Sequence, residues 1–190
     1  LLDAGTPDGG DQLAAGLDEH GLELADVEYL LLTHQDFDHV GGAAAVVEAA
    51  GPAVVAHAGD APYVDGTRDL LKSPGGVEIP YDPVPVDVEL RGGERIRTEA
   101  GPLEAIATPG HTPGGVCFQF EDTVIAGDTL FAGSVGRTDL PGGSMEQLIA
   151  AIKEKLFVLD EGLRVLCGHG PSTSIGIEKQ HNPFLNGQLW

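Results

Sequence analysis

The chain has 190 residues, enough for one domain with a sizeable core and short for two. Its 42% hydrophobic content is ordinary for a soluble globular chain, and no run approaches the ~20 apolar residues of a membrane span, so no membrane partner is expected. Acidic side chains outnumber basic ones 30 to 10, for a formal charge of −20, which excludes a nucleic-acid partner because phosphate binding needs a basic surface.

Lysine is scarce, at Lys72, Lys153, Lys155 and Lys179. An acidic, lysine-poor surface suits a high-salt cytoplasm, where self-repulsion is screened, so the protein is expected to be cytoplasmic. The two cysteines, Cys117 and Cys167, do not form a disulfide framework. Cys117, in Val116-Cys117-Phe118, reads as a small core residue.

In chain order, Asp3 closes a short apolar strand before Gly5. A helix is expected over 11–20, with Leu13 and Leu17 on one face and Gly21 as its cap. Tyr29-Leu30-Leu31-Leu32 reads as a buried strand. It leads into Thr33-His34-Gln35-Asp36-Phe37-Asp38-His39-Val40-Gly41-Gly42, and then an alanine-rich helix over 41–50. His34, Asp36, Asp38 and His39 all carry metal-ligating atoms suited to zinc, iron or manganese. At ~100° per residue a helix would point Asp36 away from His34 and Asp38. A strand would send His39 to the opposite face. A loop is therefore expected to bring the four together.

A strand over 52–57 ends at His57, read as a pocket-rim or hydrogen-bonded histidine. Residues 59–87 are rich in Pro, Gly and Asp, with a short helix expected over 61–71, and are expected to shape substrate access. Strands are expected over 86–90 and 95–98 around the turn Gly92-Gly93, and over 103–107 ahead of a loop carrying His111. A hairpin over 116–126 turns at Glu121-Asp122 and leads to Asp128. Ser144-Met145-Glu146-Gln147 is a capping box opening a helix, with Met145, Leu148, Ile149, Ile152 and Leu156 at core-facing spacing. A strand over 163–166 delivers His169, and a last helix covers 173–180, leaving His181 beyond it.

Four blocks together resemble the metallo-β-lactamase-fold hydrolases, and within them the glyoxalase II-like (hydroxyacylglutathione hydrolase-like) group. They are the His34–His39 cluster, the loop Thr108-Pro109-Gly110-His111-Thr112-Pro113-Gly114-Gly115, the run from Gly127-Asp128-Thr129 to Gly143, and Gly168-His169-Gly170-Pro171 continuing to Glu178-Lys179-Gln180-His181-Asn182-Pro183-Phe184-Leu185. The resemblance implies an α/β (α+β) fold, an αββα sandwich, as one domain over 1–190. It also places Leu1-Leu2-Asp3-Ala4-Gly5 at a second or third strand, so an N-terminally truncated fold lacking its first strands is expected.

The resemblance implies two divalent metal ions, zinc foremost with iron or manganese as alternatives. One would bind His34, Asp36 and His111, the other Asp38, His39 and His169, with Asp128 bridging. The family's first motif has histidine where this chain has Asp36, which puts an oxygen ligand in place of a nitrogen. Asp38 would orient or deprotonate the attacking water, and Asp3 would brace the metal loop. Arg137 would meet an anionic small-molecule substrate, or else pair with Asp139. His57 would line the substrate pocket. The implied reaction is hydrolysis of a thioester of hydroxyacyl-glutathione or another low-molecular-weight thiol. The alternatives are a mononuclear-iron persulfide dioxygenase and a non-catalytic metal-binding protein with a degenerate site. Oligomeric state is not set by the sequence, and a homo-oligomer is admitted.

Overall fold

The structure, a computed structural model, describes residues 1–68 and 81–187. The chain divides into two compact units, Leu1–Leu90 and Arg91–Trp190.

The first unit is built on a three-stranded parallel sheet of β1 (Tyr29–Leu31), β2 (Ala53–His57) and β3 (Val88–Leu90), in that order. Parallel strands are covered on both faces and so read as unbroken apolar runs. Leu30, Leu31, Val54, Val55 and Ala56 are accordingly all buried. Leu30, Leu32, Val54 and Ala56 pack with Val40, Ala43 and Val46. The last two lie on α3 (Ala43–Ala50), which ends at Gly51 with φ 60°. α1 (Gly10–Asp18) precedes the sheet and terminates before Gly21, at φ 71°. Leu2 extends the sheet through a parallel bridge to Leu31.

Several expected elements are shorter or divided. The helix foreseen over 41–50 is α3 alone, preceded by a separate turn of helix, α2 (Phe37–Val40). The helix foreseen over 61–71 is only α4 (Ala61–Val64), because the Asp65 carboxylate accepts Thr67 N–H at 2.8 Å and turns the chain. Residues 69–71 of that helix, and residues 69–80 of the expected access segment, lie outside the described residues. The strands on either side of Gly92-Gly93 each pair within their own unit. β3 pairs with β2, whereas β4 (Arg95–Thr98) pairs with β5 (Gly101–Ala107). The turn is held instead by the Glu94 carboxylate, which accepts the N–H groups of Arg91 and Gly92.

The second unit carries a six-stranded sheet in the order β11 (Thr173–Ser174), β10 (Arg164–Cys167), β7 (Thr123–Gly127), β6 (Val116–Phe120), β5, β4. Its hairpin is β6 and β7, with Glu121 at φ 48° in the turn. β10 runs parallel to β7, and β11 antiparallel to β10. A separate two-stranded ribbon, β8 (Leu130–Phe131) and β9 (Ser134–Val135), follows Asp128. α5 (Met145–Ala151) starts at Ser144, whose hydroxyl accepts Gln147 N–H, and continues through a π-turn over Ile152–Leu156. Leu148, Ile152 and Leu156 are fully buried against Val124, Ala126 and Val165, each contributing ~1.5–3 kcal/mol of burial. Cys117 lies in the same core, where burial pushes its thiol pKa up. α6 (Ile175–His181) is the last helix among the described residues and includes His181, one residue past the expected helix end.

Candidate metal centre

In the first unit the ligand-bearing stretch leaves β1 and bends at Asp36, which is extended (φ −68°, ψ 146°) and N-caps α2. Asp38 and His39 thus stand on a short helix and not on a loop as foreseen. The change from extended to helical backbone at one residue accomplishes what neither regular geometry could. The rings of His34 and His39 lie 4.1 Å apart by centroid. His34 Nε2 is 3.8 Å from Asp36 Oδ2, and His39 Nε2 is 3.9 Å from Asp38 Oδ2.

Asp3 braces this stretch. It adopts φ 55°, a left-handed conformation that aspartate tolerates better than most residues. Its Oδ1 accepts Thr33 N–H at 2.7 Å. Its Oδ2 accepts the Thr33 hydroxyl at 2.7 Å and His39 Nδ1–H at 2.8 Å. A carboxylate only accepts, so His39 carries its proton on Nδ1. The Thr33 hydroxyl spends its proton on Asp3, so its oxygen accepts from His34 Nδ1 at 3.0 Å. Both imidazoles therefore present the lone pair of a buried Nε2, the form that binds metal.

The second unit repeats the device. His111 Nδ1–H donates to the Arg137 carbonyl at 2.7 Å, which again leaves the lone pair on a buried Nε2. That atom lies 3.8 Å from Asp128 Oδ2, and His169 Nε2 lies 3.6 Å from the same oxygen. The His111 loop is seated against α5: Gly110 sits at φ 133°, its carbonyl accepts Ser144 N–H, and a Cβ there would lie 2.3 Å from Leu148 N. Thr108 and Thr129 join the loops of His111 and Asp128 through a buried hydroxyl pair at 2.9 Å. A register shift between Leu166 and Cys167 re-aims β10, and Gly168 N–H donates to Gly127 O, which brings His169 beside Asp128. His169 is the exposed member, with Phe131 6.4 Å from its ring.

These carboxylate–imidazole separations, 3.6–3.9 Å, exceed a hydrogen bond. Two ligands each ~2.0–2.2 Å from one ion can span up to ~4.2 Å. Lone pairs facing carboxylates repel unless a cation lies between them, so each unit's donor set fits a divalent metal.

The remaining candidates are placed less centrally. The Arg137 guanidinium is exposed and forks onto Asp139 at 2.8 and 2.7 Å. Those bonds hold the Asp139 carboxyl below its usual range. Arg137 therefore acts on the donor set through its carbonyl. His57 ends β2 and accepts Gly59 N–H at 3.1 Å. Cys167 is half-buried, and burial pushes its thiol pKa up.

Sequence reading missed four supporting residues. Gln35 and Asp60, both 1% exposed, are bonded to each other and to the Asp36 stretch. Glu178 and Asn182, one turn apart on and after α6, hold the β8–β9 ribbon. Glu178 accepts Gly133 N–H (2.9 Å), the Thr173 hydroxyl (2.6 Å) and Asn182 Nδ2–H (2.8 Å), while Asn182 also donates to Ser134 O (2.9 Å). A Glu and an Asn four apart beside Ile175 and Leu185 in a core-facing segment were the available signal.

The family model of the metallo-beta-lactamase superfamily matches residues 1–169. The chain is 40% identical over 161 residues to the probable metallo-hydrolase YqgX of Bacillus subtilis, covering 83% of this chain and 75% of that protein. It is 34% identical over 188 residues to the hydroxyacylglutathione hydrolase GloC of Haemophilus influenzae, covering 94% and 84%. The crystal structure of TTHA1623 in a di-iron-bound form superimposes with a TM-score of 0.81 at 41% identity, covering 97% of this chain and 88% of that one. On the match of its sequence and its fold, the chain belongs to the metallo-beta-lactamase superfamily.

Proposed function

We propose that this metallo-hydrolase cleaves thioesters of low-molecular-weight thiols, of the hydroxyacyl-glutathione kind, with His34, Asp36, Asp38, His39, His111, Asp128 and His169 as its metal ligands and zinc as the foremost metal. The observation that carries the metal reading is the common tautomer of His34, His39 and His111, each donating its Nδ1–H to a protein acceptor and each turning Nε2 toward a carboxylate. The substrate class is supported by GloC, a hydroxyacylglutathione hydrolase alike over most of its length.

Divalent ions bound to such a set supply Lewis acidity and an activated water near neutral pH. The chain's residues do the rest. Asp38, with about a quarter of its side chain exposed, is the proton acceptor and orients the attacking water. Asp3 and Thr33 hold two imidazoles in the ligating tautomer. The Arg137 fork, surface-exposed and engaged by Asp139, meets the anionic end of the substrate by exchanging one carboxylate for another.

The test is elemental analysis of protein purified without added metal, followed by assay on S-lactoylglutathione. About two divalent ions per chain with thioester hydrolysis supports the reading. One iron per chain, with oxygen consumed in the presence of a thiol persulfide, replaces it with a dioxygenase. No metal retained or taken up refutes both.

A further inference from the structure

We propose that Gln35 is the positioning residue that makes Asp36 a metal ligand through a single, defined oxygen. The inference rests on the metal-binding reading above. Asp36 stands where the resemblance implies histidine. An imidazole held at one nitrogen offers one lone pair in one direction. A carboxylate offers two oxygens with several lone-pair sites, so an outside hold must choose the ligating atom.

Gln35 supplies that hold. Its Nε2 donates to Asp36 Oδ1 at 2.6 Å. The amide nitrogen, and not the amide oxygen, must face Asp36, because an ionised carboxylate has no proton to give. With Oδ1 engaged, Oδ2 is the oxygen turned toward His34 Nε2, at 3.8 Å. Gln35 is itself fixed: it is 1% exposed, and its backbone N–H donates to Oδ2 of the equally buried Asp60 at 3.0 Å. A buried primary amide is costly unless bonded, and Asp36 is the acceptor that its side chain meets.

Asp60–Gln35–Asp36 is thus a second bracing chain, alongside Asp3–Thr33–His34, and it selects one carboxylate oxygen as the other selects one imidazole nitrogen. One-oxygen ligation suits a transition-metal dication, whose carboxylate bonds are ~2.0–2.2 Å, over the wider two-oxygen grip common for calcium.

The test is a chelator-competition measurement of Zn²⁺ and Mn²⁺ affinity on the full chain. It compares wild type, Gln35→Met, Asp36→His and the double variant, with circular dichroism to confirm folding. Gln35→Met is expected to weaken metal binding about 10–100-fold. In the Asp36→His background the same change is expected to cost less than about threefold, because an imidazole has no second oxygen to restrain. If Gln35→Met does not fold, Gln35→Asn withdraws the donor by one methylene while keeping an amide, and carries the same comparison. Equal losses in both backgrounds, or no loss in either, would overturn the proposal while leaving the metal reading standing. Wild-type protein that takes up neither ion would overturn the metal reading and this inference with it.

Discussion

Asp3 accepts three hydrogen bonds on two oxygens, and each fixes something different. The bond from Thr33 N–H sets the backbone entering the ligand stretch, the bond from the Thr33 hydroxyl sets the tautomer of His34, and the bond from His39 sets its own. Asparagine has the same shape but only one accepting atom. Asp3→Asn must either set its amide N–H against Thr33 N–H or place its NH2 where Oδ2 now lies, facing His39 Nδ1, which would have to move its proton to Nε2. Metal affinity measured against a chelator is expected to fall about 10–100-fold. Loss of the bonds to Asp3 is expected to cost stability as well, about 1–3 kcal/mol by urea denaturation of the metal-free protein. Unchanged affinity would show that Asp3 does not control the ligating form of either histidine. Asp3 itself was visible only through the resemblance. Nothing local in Leu2-Asp3-Ala4 predicts that its carboxylate meets residues thirty and more positions away.

At the scale of elements, α5 and the His111 loop form one packed feature. Gly110 approaches the backbone of Leu148 too closely for any side chain. Gly110→Ala combines a φ of 133° with a Cβ 2.3 Å from Leu148 N. It should displace the loop from the helix, lowering the Tm and the metal content together. A variant with wild-type metal content and a lowered Tm would mean that α5 supports the core without setting the His111 loop. α5 was legible because its apolar spacing and its serine cap agree with each other, and the structure adds only the π-turn that carries the pattern on to Leu156. The hairpin over β6 and β7 was legible from its alternation and turn. The partners of β3 and β4 were not. Both flank a glycine turn that looks like a hairpin, and pairing to β2 and β5 is a long-range choice that short strands do not announce. The donors themselves were legible as a residue list, whereas the cap at Asp36 that lets Asp38 and His39 share a helix was not.

For the whole molecule the dominant quantity is charge. At −20, with few lysines to offset it, the folded chain repels itself. Raising ionic strength from about 0.01 to 1 M shortens the Debye length from about 30 to 3 Å. Thermal stability and activity are both expected to rise over that range. Activity that is highest in dilute buffer and falls steadily with salt would refute an adaptation to a high-salt interior. Among the described residues no helix is long and apolar enough to cross a membrane. Membership of the superfamily implies divalent metal ions, and added dications also offset part of the chain's negative charge.

The clamp of Glu178 and Asn182 on the β8–β9 ribbon has a consequence for local opening. Gly133 lies exposed at the ribbon's tip, where an amide would ordinarily exchange with solvent almost as fast as in an unstructured peptide. Its N–H is instead held by a buried carboxylate on α6. It can exchange only when the helix lets go, so its deuterium uptake should track that of the α6 amides, and Glu178→Ala should release it by orders of magnitude. The amide of one surface glycine thereby reports, residue by residue and in real time, how often the last helix of the described chain breathes.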